Sequence, residues 1–459
     1  MPEVPMIGRT KEISLLENLY ASHALEIACV YGEEGIGVRT LIASFLRQKR
    51  GYFCNVRACS PLLNEAFFCN DMKGQGLTAS PQETVKSLLE RLFQKAEGEK
   101  IVFVVQRTEW LAAGFPSLFV EMAKLLGKPA CTYRMLLLLT GKNRDSFQEP
   151  ERLLPHQKFT YLPVGPLSYL EAMPVLANYA PEEKILLYGA CGGQPSLLRL
   201  LRSDLSCKEN VCSLLLNGNS SFADGAEAYL RMFLREPAVY QTILAAVAGG
   251  AARLQELEQR TGFSAGKLSK YLSTLVERGI LARWIPATEM QIPKQHKKTL
   301  YKLENTFLLF HYLYIFPNQG ILDAGGERKL FRSLRKTIQE KYCRLVFQQV
   351  CMQQFREVIQ EMEAGDGPTP VGYEWESGET DKPPLMVRLG KRLGVFGISI
   401  WQKNKVDLPE ILEFMERTRI YSAEESYWIV YSRKGFTNPA LRFSAHQPNL
   451  RLVSLIYMK

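Results

Sequence analysis

The chain has 459 residues, of which 46% are hydrophobic and 23% charged, and its formal net charge is +10. That length exceeds one ordinary core and predicts two to four domains of globular type. No apolar run reaches the ~18 residues of a membrane span, and "MPEVPMIGRTKE" has no basic segment followed by an apolar one, so neither a membrane partner nor a secretory signal is expected. Ten cysteines are scattered without a C-x-x-C pair or a Cys/His cluster. That argues against a structural zinc site and for reduced thiols in a cytoplasmic protein. The positive balance suits an anionic partner such as nucleic acid.

Along the chain, Glu12 to Tyr20 carries Ile13, Leu16, Leu19 and Tyr20 at helical spacing. "ALEIACVYG" then reads as a buried strand ending at glycine, and "TLIASFLRQK" as a helix. "KIVFVVQ" and "RMLLLLTG" are two more apolar runs, alternating with helical segments at Pro81–Lys95 and Phe115–Leu126. Such alternation predicts a parallel sheet covered by helices. "YGACGGQPSLLRLL" reads as a helix end, a Gly-Gly turn and a new helix with Pro195 in its first turn. From about Ala223, "PAVYQTILAAVAGG", "RLQELEQRTG" and "SAGKLSKYLSTLVERGILAR" are three helical segments, followed by β-like "LARWIP" and "LYKLEN" around a basic stretch. Three helices and a two-stranded wing make a winged helix-turn-helix. A long basic helix is expected over Glu327–Glu361, and the tail mixes strands with a helix at Leu408–Arg417.

The stretch "VYGEEGIGVRTLI", Val30 to Ile42, joins the first strand to its helix, the context that a phosphate-binding loop requires. Gly32, Gly35 and Gly37 permit backbone N–H groups to converge on phosphate oxygens. Such a loop also needs a lysine for the outer phosphates and a Ser or Thr for Mg²⁺. Here Val38 and Arg39 stand in those places, and Thr40 falls one position late. The "KIVFVVQR" strand ends in Gln106-Arg107, where Asp-Glu would hold the metal and activate water. Glu109 is a candidate displaced carboxylate, Thr140 a polar group that could face a γ-phosphate, and Arg39 a substitute phosphate cation. These residues read either as a nucleotide-site remnant, which retains ATP weakly if at all, with no certain cofactor and no metal site, or as a plain glycine turn in a Rossmann-like sheet.

The ordered set "IGRTKEISLLENLY", "VYGEEGIGVRTLI", "LLLLTG", "GPLSYLEA", "GACGGQPSLL", "SKYLSTLVERGIL", "LFHYLYIFPN" and "YSRKGFT" covers nearly the whole chain. It resembles the prokaryotic, archaeal-type AAA+/STAND-like ATPases that carry a winged helix and a C-terminal restriction-endonuclease-like domain. The resemblance implies a P-loop ATPase domain over 1–222, a winged helix over 223–320 and a nuclease-like α/β domain over 321–459. It assigns the family's Lys-Thr to Val38-Arg39 and its Asp-Glu to Gln106-Arg107, and its Gly-Gly-x-Pro survives as Gly192-Gly193-Gln194-Pro195. In the terminal domain it puts the helical metal acid at Gln348 and the Glu-x-Lys-Trp segment at Ile398 to Trp401, with Glu379 or Asp381 as middle-acid candidates. Metal-assisted cleavage needs carboxylates at such places, so both catalytic centres read as degenerate.

In the winged helix, Lys267 and Lys270 point outward, with Ser264 as N-cap and Leu268, Tyr271, Leu272 and Leu275 inward. Arg283 with Lys294, Lys297 and Lys298 suits a wing that touches phosphates. Arg328, Lys329, Arg332, Arg335 and Lys336 form a second basic face, read as a solvated helix. His311, among Phe307, Phe310, Tyr314 and Phe316, reads as a core residue with its hydrogen bonds satisfied. The expected function is a catalytically impaired ATPase-family protein, more binder than enzyme, that holds DNA or a protein partner in a regulatory or defence role. A slow ATP-driven DNA-binding switch and a scaffold needing neither nucleotide nor DNA remain open, and the oligomeric state is not determined.

Overall fold

The structure, a computed structural model, describes residues 6–77, 83–126, 133–217, 237–290, 298–362, 371–375, 384–390, 392–421 and 424–458. The chain divides into two compact units, one of Met1–Leu167 with Gln194–Ser196, the other of Ser168–Gly193 with Leu197–Lys459.

The first unit is built on a five-stranded sheet of β1 (Glu26–Tyr31), β2 (Gly51–Asn55), β3 (Ile101–Gln106), β4 (Met135–Gly141) and β5 (Phe159–Pro163). Its spatial order is β2-β3-β4-β1-β5 and every pair is parallel. The three inner strands are apolar almost end to end because helices cover both faces. These are the three runs legible in the sequence. The edge strands β2 and β5 bury only part of their residues, so neither stands out as an apolar run. One sheet face packs on Thr10–Ala21 and Val38–Phe45, through Leu16, Leu41, Ile42 and Phe45. The other packs on helices Pro61–Gly74, Val85–Gly98 and Pro116–Leu126. The second of these starts later than the periodicity suggested, at a capping box in which the Ser87 amide donates to Thr84 Oγ1 at 3.2 Å. Helix Pro61–Gly74 escaped the sequence reading because Leu62 is 77% exposed while Asn64 is buried. The Asn64 carboxamide donates to the Gly114 carbonyl at 2.8 Å and accepts from the Arg57 amide at 3.0 Å. This unit is a parallel-sheet α/β domain, with β1 leading through a glycine loop into a helix.

In the second unit, helix Pro181–Cys191 ends at Gly192 and Gly193, both with positive φ. A Cβ on Gly192 would lie 2.9 Å from that of Phe307, so the turn needs glycine for space as well as conformation. Helices Pro237–Ala248, Leu254–Thr261 and Ala265–Glu277 follow, then an antiparallel ribbon of β6 (Ala282–Trp284) and β7 (Leu300–Lys302). The long basic helix is Glu327–Thr337, continued through a π-helical turn at Ile338–Tyr342 into Cys343–Glu361.

The C-terminal sheet contains β8 (Val371–Glu374), β9 (Leu385–Leu389), β10 (Leu393–Ile400), β11 (Glu425–Ser432) and β12 (Leu450–Ser454). Its order is β12-β11-β10-β9-β8, parallel across β10–β12 and antiparallel across β8–β10. Gly397 of β10 lets helix Cys343–Glu361 approach, since a Cβ there would lie 2.9 Å from the Phe355 ring. Strands β8 and β9 were not read from sequence, because buried Glu374 and Arg388 interrupt their apolar pattern. Helix Leu408–Arg417 forms where expected, whereas Asn438–Ala445 was not anticipated. Among the described residues no helix is long and apolar enough to cross a membrane.

Candidate functional sites

The glycine loop lies at the carboxyl end of β1, beside β4 and one strand from β3. In such sheets ligands bind outside the carboxyl ends of the strands, where the connections reverse direction. Gly35 has φ +84° and Gly37 φ +96°, conformations that side-chain-bearing residues rarely adopt. A Cβ on Gly32 would lie 2.5 Å from the Val164 carbonyl, and one on Gly35 would lie 2.7 Å from Ser196 Oγ. Gly37 stands at the N-cap of helix Val38–Phe45, and the Leu41 amide donates back to its carbonyl at 2.9 Å. The N–H groups of Val38, Arg39 and Thr40 thus form a helix N-terminus without intrahelical acceptors. The backbone geometry suits an anion, and the positions after Gly37 carry neither lysine nor a Mg²⁺-binding hydroxyl until Thr40. Val38 packs against the apolar core, Arg39 is exposed and Thr40 half-buried.

The residue that holds this loop is Arg9 of the Ile7-Gly8-Arg9 run, a position to which sequence alone assigns no contact. Arg9, 4% exposed, donates from Nη2 to the carbonyls of Ile36 at 2.9 Å and Gly165 at 2.6 Å. Its Nη1 pairs with Glu12 Oε1 at 2.9 Å. Arg9 adopts φ 71°, a strained conformation for a residue with a side chain. Ser196, the close neighbour of Gly35, was also missed. Its signal was present in the surviving Gly-Gly-x-Pro segment.

On the neighbouring strands, Thr140 is 8% exposed and Gln106 half-buried. The Arg107 amide donates to Thr140 Oγ1 at 3.3 Å, and Thr108 Oγ1 donates to the Thr140 carbonyl at 3.0 Å. Thr140 Oγ1 therefore ties β4 to the end of β3 and keeps its own proton to donate. Arg107 itself is exposed with φ 61°. Glu109 is half-buried, and its Oε2 is buried with no hydrogen-bond partner among the described residues. The loop, Thr140 and Gln106-Arg107 thus lie together at the carboxyl ends of the inner strands β1, β4 and β3.

In the second unit, Leu268, Leu272 and Leu275 face inward, whereas Lys267 and Lys270 are exposed. Tyr271 is only half-buried and packs edge-on against Tyr240 at 4.9 Å between centroids. Ser264 occupies the N-cap position, but its side chain accepts no capping hydrogen bond. The Lys267 ammonium lies 4.1 Å from the centre of the Phe263 ring. Arg283 is exposed on β6 opposite Tyr301. Lys298 is not a free cation: its Nζ lies 3.5 Å from Glu289 Oε1. Lys294 and Lys297 fall outside the described residues, as do Glu379 and Asp381.

Of the assigned metal positions of the C-terminal domain, Gln348 and Ile398 to Trp401 carry no acid. Gln348 is half-buried, its carbonyl accepts from the Tyr373 hydroxyl at 3.3 Å, and its Nε2 has no partner among the described residues. Ile398 is buried in the sheet core. Trp401 Nε1 donates to the Gln339 carbonyl at 2.8 Å. Among the described residues no group of three or more His, Cys, Asp or Glu is placed to hold a metal ion.

Phe307, Phe310 and Tyr314 are buried, and Phe310 and Tyr314 pack on each other and on Tyr342. His311 corrects the expectation of a satisfied core residue. It is 4% exposed, yet neither ring nitrogen has a hydrogen-bond partner among the described residues. Burial disfavours the imidazolium and lowers its pKa to about 4. Periodicity revealed the burial, but a missing hydrogen bond leaves no mark in sequence.

No family model matches the chain. An uncharacterized protein of Methanocaldococcus jannaschii, MJECL04, is 26% identical over 187 residues, which cover 41% of this chain and 41% of that protein. The match thus spans about two-fifths of the relative's length. Among solved structures, the Walker-type ATPase PABY2304 of Pyrococcus abyssi is similar at 14% identity and a TM-score of 0.45, covering 68% of this chain and 96% of that one. The ORC2 protein of Aeropyrum pernix, in its ADPNP–ADP complexes, is similar at 13% identity and a TM-score of 0.41, covering 72% of this chain and 96% of the other.

Proposed function

We propose that this protein is a catalytically impaired P-loop ATPase-type protein that acts by binding, with duplex DNA as its partner. The observation that carries the reading is the contrast at the carboxyl ends of the inner strands. The glycine loop keeps its positive-φ turns at Gly35 and Gly37, while Val38, Arg39, Gln106 and Arg107 replace every side chain that phosphoryl transfer would use. Positioning and charge stabilisation supply nearly all catalysis of that reaction, so turnover is lost even where the backbone survives. Weak nucleotide binding at the helix N-terminus, with Arg39 as the outer cation, is compatible with this reading.

The DNA part rests on the three helices and ribbon of 223–320, read as a winged helix-turn-helix whose helix Ala265–Glu277 presents Lys267 and Lys270. Arg283 extends the cationic surface onto the ribbon. Lysine ammonium groups lack the planar fork of arginine, so the contacts are to phosphate rather than to base edges. The C-terminal mixed-sheet domain is read as a non-cutting nuclease relative. A second reading, a slow ATP-driven switch, is favoured by one observation: the buried, unpartnered Oε2 of Glu109. Titrating nucleotide and duplex into the same purified protein separates the two. The binding protein holds duplex in a salt-dependent manner and turns over no ATP, whereas the switch hydrolyses ATP and loses that activity in Glu109→Gln.

A further inference from the structure

The helix Glu327–Thr337 places its charges in a way that a merely solvated helix does not require. At about 100° per residue, Arg328, Lys329, Arg332, Arg335 and Lys336 fall within an arc of about 120°. All five are exposed. Leu330 and Phe331 lie on the opposite arc and are buried, as is Ile338 beyond them. The cationic row extends about 12 Å along the axis at 1.5 Å per residue. Glu209 lies within electrostatic reach of Arg328. For Lys329, Arg332, Arg335 and Lys336, no carboxylate among the described residues forms an ion pair. The carboxylate of the next turn, Glu340, is paired with Lys403 at 3.4 Å. Five like charges on so short a helix repel one another, and Glu327 in its first turn is the one carboxylate that the helix itself carries.

We propose that this face is a second phosphate-binding surface, fitting the backbone of a nucleic-acid duplex. Charge complementarity selects a polyanion, and the arginine guanidinium matches phosphate oxygens two at a time. An anionic membrane is the poorer occupant. An interfacial helix binds a bilayer through its apolar face, and here that face is already buried in the protein. The proposal deepens the DNA-binding reading and rests on it, but not on the lysines of helix Ala265–Glu277.

The test uses the full chain and a random-sequence duplex over a range of salt. Relative to wild type, R332A/R335A/K336A is expected to flatten the plot of log affinity against log salt by about 0.9 for each phosphate that the variant no longer neutralises. At about 100 mM salt its affinity falls roughly tenfold or more. The charge-keeping R332K/R335K variant retains the wild-type slope, which a purely structural role would not predict. The K267A/K270A variant is measured beside it. Weaker binding in the helix variant alone supports this surface and removes the winged-helix lysines; weaker binding in both supports both. An unchanged slope in R332A/R335A/K336A overturns the proposal whatever K267A/K270A does. Absence of duplex binding by wild type at low salt overturns it together with the DNA-binding reading. Binding to anionic vesicles that the triple variant abolishes, with duplex binding untouched, overturns it in favour of a membrane.

Discussion

The glycine loop and the helices that present Lys267 and Arg332 use cationic side chains in opposite ways. At the glycine loop the decisive cation is buried. Arg9 reaches Ile36, Gly165 and Glu12, and its charge holds backbone in place. In the second unit Lys267, Lys270, Arg332 and Arg335 are exposed, and no carboxylate among the described residues pairs with them. A buried cation with several acceptors is architecture, because its desolvation is tolerable only when each donor is used. An exposed row of cations does little for stability and is available to an external anion. On the proposed reading, the first unit keeps the shape of a phosphate site without its chemistry, while the exposed cations of the second face outward for an anion.

The largest effect should come from breaking the buried set. Arg9→Ala removes the donors of two carbonyls and leaves Glu12 without its partner, which should destabilise the first unit by about 3 kcal/mol. Denaturant unfolding followed by a probe in that unit checks it; a change below about 0.5 kcal/mol would make Arg9 an incidental neighbour of the loop.

His311 sharpens the comparison, since it is as buried as Arg9 but has no hydrogen-bond partner among the described residues. Burial lowers its pKa in the folded chain to about 4, from the ordinary value of 6.5. Above pH 6.5 both folded and unfolded states hold it neutral, and it contributes no pH dependence. As pH falls from 6.5 toward 4 the unfolded state takes up the proton first, so stability is lost across that window, by up to roughly 3 kcal/mol. His311→Phe should flatten the stability–pH curve between those values. An equally steep curve in the variant would mean that other groups set the acid sensitivity.

The smallest effect on stability should come from the exposed lysines. K267A/K270A should leave the unfolding free energy within about 0.5 kcal/mol of wild type, yet lower duplex affinity on all sequences alike. Its salt slope should flatten by about 0.9 per phosphate released. Unchanged affinity would return Lys267 and Lys270 to the solvated surface.

What the sequence made legible follows the same division. The inner strands β1, β3 and β4 were readable because burial on both faces leaves almost no polar residue within them. Edge strands β2 and β5, and helix Pro61–Gly74 with its buried Asn64 and exposed Leu62, were not. Their burial pattern is set by tertiary neighbours rather than by period. The glycine loop could be read residue by residue, as could the uncharged or basic residues Val38, Arg39, Gln106 and Arg107 beside it. The roles of Arg9 and Ser196 could not, because both depend on contacts with distant segments, Gly165 for the first and Gly35 for the second. The exposure of Lys267 and Lys270 followed from helical spacing, whereas the pairing of Lys298 with Glu289 needed the folded ribbon.

The central claim is that the shape of the nucleotide site has outlived its chemistry. Steady-state ATP hydrolysis with Mg²⁺, measured on wild type and Glu109→Gln side by side, tests it most directly. The account predicts that both proteins remain at the background rate, since Val38, Arg39, Gln106 and Arg107 supply neither the phosphate lysine nor the metal ligands. Mg²⁺-dependent turnover near ~1 per second, within the ordinary range of enzymes, that disappears in Glu109→Gln would contradict it and identify Glu109 as the working carboxylate.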